Sequence, residues 1–126
     1  MRLTIALCSL AAAAIHFIVV QEHLEEWWGY GWFFLGLGAY QGLYAVGLTA
    51  LKPRGYFGYA FSGMVVNLLA IALYIITRTS GIPLFGPAAG EVEPVGFLDL
   101  TSTVLEFLLV VLLVGSLPPR PERGHD

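Results

Sequence analysis

The stretch LTIALCSLAAAAIHFIVV, residues 3–20, decides the fold. It contains no Lys, Arg, Asp or Glu, and its length is close to the roughly 20 apolar residues with which an α-helix crosses a bilayer. Three similar apolar runs follow it, at residues 32–51, 56–76 and 98–117. The sequence therefore predicts an all-α integral membrane protein, in which residues 1–117 form a four-helix bundle and residues 118–126 a polar tail.

The composition agrees with this class of protein. Hydrophobic residues make up 57% of the chain and charged residues 12%, about half of what soluble domains carry. The net charge of −3 is divided between several short linkers, and no basic patch indicates a nucleic-acid partner. We therefore expect the lipid bilayer to be the main partner. Self-association and membership of a larger membrane complex both stay open.

A cleaved secretory signal is the alternative for the first run, because MRLTIALCSLAAAA has a basic start followed by apolar and small residues. The apolar run continues through residues 15–20, however, beyond the point where a signal peptide would end. This favours a retained first helix. The single cysteine, Cys8, excludes a disulfide within the chain.

The positions of the basic residues predict the orientation. Short loops rich in Lys and Arg stay in the cytoplasm, and such residues occur at the N-terminus, in the second linker and in the tail. The first and third linkers carry most of the glutamates. We therefore expect a multi-pass protein of the bacterial plasma membrane, with both termini in the cytoplasm and the acidic loops outside.

One strongly polar residue lies within each apolar run. Helical rise places His16 about 6 Å below the outer boundary, Glu106 about 12 Å, and Gln41 and Asn67 about 14 Å. A carboxyl group facing lipid would cost roughly 2.5 kcal/mol or more. We therefore expect these side chains to face one another inside the bundle, in a polar pocket open to the outside.

Histidine and carboxylate side chains suggest a metal site in that pocket. His16, His23, Asp99 and Glu106 are the predicted ligands, and imidazole with carboxylate suits zinc, iron or manganese, while imidazole also suits copper. Glu26, one helical turn after His23, is a further candidate ligand. The predicted residues that hydrogen-bond these ligands are Gln41, Asn67 and Arg78. Haem is disfavoured, because His16 and His23 lie on one helix and the remaining histidine, His125, lies in the tail.

Two other functions compete with a binding site. In a structural or accessory subunit of a larger complex, the polar residues would only fix the order of the helices. A small transporter is the other, although the inner half of the bundle looks sealed. No G-x-S-x-G, Walker or H-E-x-x-H pattern occurs, so no catalytic class is indicated. We also expect an Arg78–Asp99 salt bridge at the rim, and the apolar residues 82, 84 and 85 of the third loop could form a lid.

The segments IHFIVVQEHLEEWWGYGWFF, TRTSGIPLFGPAAGEVEPVGFLD and TSTVLE resemble a group of small, uncharacterised four-span bacterial membrane proteins. These proteins carry a histidine pair around the end of the first helix and an R-T-x-G-x-P loop that leads into V-G-x-x-D. The resemblance covers most of residues 12–117. It implies the four-helix fold and draws attention to the same polar residues, but it assigns no reaction.

Overall fold

The computed structural model describes residues 1–50, 55–81 and 90–119. Its elements are four α-helices: α1 (Arg2–Glu26), α2 (Trp28–Ala50), α3 (Tyr56–Thr79) and α4 (Phe97–Ser116). Each is long and apolar enough to cross a membrane. The predicted all-α four-helix bundle is therefore confirmed. Three parts of the chain lie outside the described residues: residues 51–54 of the second linker, the proposed lid residues and His125.

The first two helices are longer than their apolar runs. α1 continues to Glu26, since residues 21–26 contain no Gly or Pro to end it. Trp27 then takes an extended conformation (φ −167°, ψ 135°), and α2 begins at the next residue. His23 and Glu26 therefore lie on a helix, one turn apart, at the end of the bundle that carries this junction and the α3–α4 loop. We call this end the loop end.

Close packing of α1 against α2 depends on small residues. A Cβ atom at Gly38 would lie 3.2 Å from the Phe17 ring and 3.4 Å from the Ala13 carbonyl oxygen. Any side chain there would push the two helices apart, which explains the glycine. α1 also packs against α4, and α4 packs against α3, so that the closest packing follows the order α2–α1–α4–α3.

Two tyrosines join α2 to α3 in the half of the bundle away from the loop end. The rings of Tyr44 and Tyr59 stack with centroids 4.4 Å apart, and each hydroxyl donates a hydrogen bond to the backbone carbonyl of the other residue, at 3.0 and 2.7 Å. We call this pair the tyrosine clasp. Gly63 and Gly47 provide the space for it, since a Cβ atom at either position would collide with the facing tyrosine.

The α3–α4 loop is anchored at its two described ends. Gly81 has φ +74°, and its amide donates to the Ile76 carbonyl, which ends α3. A Cβ atom at Gly81 would approach the Glu91 carbonyl oxygen to 2.6 Å, because the loop backbone at Glu91 lies directly against this glycine. The Glu93 amide then donates to the Thr77 carbonyl at 2.9 Å. These contacts hold Glu93 beside the last turn of α3.

Candidate functional site: a cavity above a buried polar network

The four polar residues of the apolar runs meet in the middle of the bundle. Glu106 of α4 is the centre of this network: its Oε1 atom lies 2.9 Å from His16 Nε2 and accepts a hydrogen bond from Gln41 Nε2 at 3.0 Å. The same Gln41 nitrogen donates to Asn67 Oδ1 at 3.2 Å. Each of these four residues is at most 3% exposed. The prediction that one polar residue from each helix faces a common interior is confirmed.

Backbone groups complete the network. Ser9, two turns before His16 on α1, donates a hydrogen bond from its hydroxyl to the Gln41 backbone carbonyl at 2.7 Å. Asn67 donates its amide to the Gly63 carbonyl at 2.7 Å, one turn back on its own helix. Two buried atoms of the network have no hydrogen-bond partner in the structure, His16 Nδ1 and Gln41 Oε1. Such atoms are expensive in an apolar interior and indicate a place where a further polar group can bind.

His23 lies outside this network. Its ring stacks on Phe34 with centroids 4.2 Å apart, and Nδ1 lies 3.3 Å from Glu26 Oε2. The Phe34 ring also lies beside the His16 ring, with the ring centroids 5.4 Å apart. One phenylalanine of α2 therefore lies against both histidines. The predicted proximity of His23 to Glu26 is confirmed, whereas no hydrogen bond or ion pair joins His23 to Asp99 or Glu106 in the described part of the chain.

Arg78 occupies the rim at the loop end. Its Nη2 atom donates to Asp99 Oδ2 at 2.7 Å, which confirms the predicted salt bridge. Its Nη1 atom donates to Glu93 Oε2 at 2.6 Å and to the Thr77 hydroxyl at 2.8 Å. The guanidinium also lies 4.8 Å from the centre of the Tyr74 ring. Arg78 thus ties the end of α3 to the start of α4. Its pairing with Glu93 was not predicted, because the loop geometry that brings Glu93 back to α3 has no signal in the hydropathy pattern.

The predicted metal ligands do not form one ligand set. Glu106 pairs with His16, Asp99 with Arg78, and His23 with Glu26. Within residues 1–50, 55–81 and 90–119, no group of three or more His, Cys, Asp or Glu side chains is placed to hold a metal ion. The sequence predicted Asp99 both as a metal ligand and as the partner of Arg78, and the structure shows the salt bridge. The expected ligand geometry therefore has no support in the structure.

A cavity of about 310 Å³ lies between the helices, above the network and towards the loop end. His16 and Glu106 contribute to its wall together with residues of all four helices. Much of the remaining wall is aromatic: Trp27, Tyr30, Phe33, Phe34 and Tyr74. We call this space the inner cavity. The sequence predicted a polar pocket, but the wall is largely apolar, because the polar side chains turn towards one another and leave ring faces and aliphatic groups to line the space.

Polar residues of one face of α4 also reach this cavity. Asp99, Thr103 and Glu106, spaced about one turn apart, all line it, and so does Ser102. The hydroxyls of Ser102 and Thr103 are occupied by the Asp99 carbonyl, at 2.9 Å each. The Tyr74 hydroxyl, by contrast, is buried and has no hydrogen-bond partner in the structure. It is a further polar group available at the cavity wall.

An outer cavity of about 650 Å³ adjoins the inner one at the loop end. The two share His23, Tyr30, Arg78, Glu93 and Asp99 in their walls. The outer cavity is also lined by Glu22 and Glu26, and hence by four carboxylates but only one guanidinium among the described residues. It connects the loop end of the bundle to the buried histidine–glutamate pair through the aromatic inner cavity.

Several residues of the site were missed in the sequence. In the sequence, Trp27 and Tyr30 look like the aromatic anchors found at the ends of membrane spans, and Phe33, Phe34 and Tyr74 look like ordinary apolar helix residues. Only Tyr74 carried a signal, since it lies on the same helical face as Asn67 and Arg78. Comparisons of the chain with protein-family models, with curated proteins and with solved structures gave no match. The resemblance to the four-span group therefore stays a prediction, and the geometry of the site is the basis for its function.

Proposed function

We propose that this protein is a membrane-embedded binding protein that takes a small, largely apolar molecule into the inner cavity. The observation that carries the proposal is a preformed cavity of about 310 Å³ with aromatic walls, which ends on a buried histidine–glutamate pair. Ligand sites are typically concave and mostly apolar, with a few polar groups that fix orientation. An apolar cavity of about 150 Å³ is already large enough for benzene.

Buried polar groups at the floor and wall of the cavity support a specific binding site. His16 is 3% exposed and lines the cavity, and among the described residues neither its Nδ1 atom nor the buried Tyr74 hydroxyl has a hydrogen-bond partner. A ligand with one polar end and an apolar body would meet hydrogen-bonding groups and ring faces in the same space. The positions of the basic residues support an opening of the loop end to the outside, so we propose that the ligand enters from the external face.

The tryptophans offer a direct test. The chain contains three, of which Trp27 lines the inner cavity while Trp28 and Trp32 are 65% and 62% exposed. A Trp28→Phe/Trp32→Phe variant would keep Trp27 as the sole tryptophan. In lipid nanodiscs, bromobenzene should quench its fluorescence saturably, because the bromine atom would bind within contact distance of the indole.

Two alanines of α3 provide a matched pair of variants. Ala70 is buried in the cavity wall, and Ala72, two residues later, is exposed on the outside of the bundle. In the single-tryptophan background, Ala70→Phe should fill the cavity and abolish saturable quenching, whereas Ala72→Phe should leave it unchanged. Quenching that is linear in bromobenzene, or that is equal in both variants, would refute a binding cavity.

An accessory-subunit role is the second candidate, and the hydrogen bonds that join all four helices favour it. In that role Glu106→Leu would chiefly change assembly with a partner, and the two alanine variants would behave alike.

Transport is a third function, which would be distinguished by movement of a bound probe across the membrane of a vesicle. The metal-site prediction is tested by elemental mass spectrometry beside a His16→Ala/His23→Ala double variant without an affinity-tag histidine run. Near-stoichiometric metal in the protein that is lost in the double variant would support the metal site.

A further inference from the structure

We propose that the ligand of the inner cavity is an organic cation, that is, a quaternary ammonium or a protonated amine with an aromatic or aliphatic body. This inference rests on the proposed function and names the chemical class of the ligand. Three observations carry it: the charge of the outer cavity, the rings of the inner cavity and the Glu106 carboxyl group at its floor.

The first observation is the charge along the entry route. A ligand that enters from the loop end passes the outer cavity, whose wall holds Glu22, Glu26, Glu93 and Asp99. Arg78 is the only Lys or Arg side chain among its described lining residues, and it is bonded to both Glu93 and Asp99. The exposed Glu22 and Glu26 therefore leave an excess of negative charge at the entrance. Clefts lined by one sign of charge raise the local concentration of ligands of the other sign.

The second observation is the aromatic wall. Trp27, Tyr30, Phe33, Phe34 and Tyr74 line one cavity, and they come from the α1–α2 junction, α2 and α3. Ring faces attract cations, and cages of this kind recognise quaternary ammonium groups. Tyr74 already has a guanidinium, that of Arg78, 4.8 Å from its ring centre.

The third observation is the floor of the cavity. The Glu106 carboxyl group makes two hydrogen bonds, one with Gln41 and one with His16, and both use its Oε1 atom. Within the described residues Oε2 has no hydrogen-bond partner. Glu106 lines the cavity, so a carboxyl oxygen is available to a positive group of the ligand.

An anionic ligand would find no comparable partner. Two of the three guanidinium nitrogens of Arg78 are bonded to Glu93, Asp99 and the Thr77 hydroxyl; Nε has no partner among the described residues, but the two carboxylates beside it oppose an anion there. A neutral ligand would use the ring faces and could donate a hydrogen bond to Glu106, but it would gain no charge attraction from the carboxylates. The charge of the ligand is therefore the property that the site distinguishes.

The test uses two probes of the same shape. Benzyltrimethylammonium carries a permanent charge, and neopentylbenzene replaces its nitrogen with carbon. Binding of both is measured by Trp27 fluorescence of the Trp28→Phe/Trp32→Phe protein in phosphatidylcholine nanodiscs, with the Ala70→Phe variant as the blocked control. We expect the cation to bind at least about tenfold more tightly than the neutral probe. We also expect Glu106→Gln to reduce the affinity for the cation and not that for neopentylbenzene.

A second variant keeps the test decisive if Glu106→Gln does not fold. Glu22→Gln changes one exposed side chain of the outer cavity and should weaken cation binding at low salt and less at high salt, while Glu91→Gln, exposed and outside both cavity walls, should not. Equal affinities for the two probes, both lost in Ala70→Phe, would overturn the cation inference and retain the binding function. Absence of a saturable response to either probe would overturn both.

Discussion

Replacement of Gln41 by leucine tests the polar network in the most direct way. Gln41 is fully buried and donates two interhelical hydrogen bonds, one to Asn67 of α3 at 3.2 Å and one to Glu106 of α4 at 3.0 Å. Gln41→Leu keeps the approximate size of the side chain and removes both bonds. Gln21→Leu is the matched control, since Gln21 is the other glutamine of the chain and is exposed near the end of α1.

The expected loss of stability follows from these contacts. Interhelical hydrogen bonds in membrane proteins contribute on average about 0.6 kcal/mol each, so two of them contribute about 1.2 kcal/mol. The variant also leaves Asn67 Oδ1 without its partner, which adds about 1–3 kcal/mol. Removal of the unpartnered Gln41 Oε1 offsets part of that cost. We therefore expect Gln41→Leu to lower the free energy of unfolding by about 2–3 kcal/mol.

The assay is reversible unfolding in mixed micelles of mild detergent and dodecyl sulfate, followed by circular dichroism. Gln21→Leu should change the free energy of unfolding by less than about 0.5 kcal/mol. A double-mutant cycle with Asn67→Leu should give a coupling energy of about 0.5 kcal/mol or more, because the two side chains share one hydrogen bond. Equal stability of the Gln41 and Gln21 variants, together with zero coupling, would refute the network as a stabilising element.

Three further predictions concern the clasp, the rim and the orientation. Tyr44→Phe and Tyr59→Phe should each lower the free energy of unfolding by about 0.5–1.5 kcal/mol, because each removes one hydrogen bond between α2 and α3; unchanged stability in both variants would contradict the clasp. Arg78→Lys should increase amide hydrogen exchange in residues 90–98, because an ammonium group cannot reproduce the forked contacts to two carboxylates; unchanged exchange would show that the loop is held without them. In a Cys8→Ser background, Glu91→Cys should react with a membrane-impermeant maleimide in intact cells, and reaction only after permeabilisation would reverse the proposed topology.

Sequence alone determined the helices and the contents of the interior. Four apolar runs of spanning length leave the backbone no option but helices in a bilayer, because every peptide group there needs a hydrogen-bond partner. These side chains are expected to face inwards, because a polar group in contact with lipid is unfavourable in free energy: His16, Gln41, Asn67 and Glu106. The helical period also placed Asp99 and Glu106 on one face of α4. These inferences depend on hydropathy and periodicity, which are local properties of the chain.

Only the tertiary structure decided how the inward-facing groups pair. Hydropathy gives no helix rotation to within one side chain, so it could not show that Glu106 would pair with His16, or that Arg78 would bind Glu93 as well as Asp99. Nor could it show that α2 and α3 are joined by tyrosines at one end and separated by a cavity at the other. The physical reason is that helix spacing depends on which side chains interdigitate between helices, and those contacts join residues far apart in the sequence.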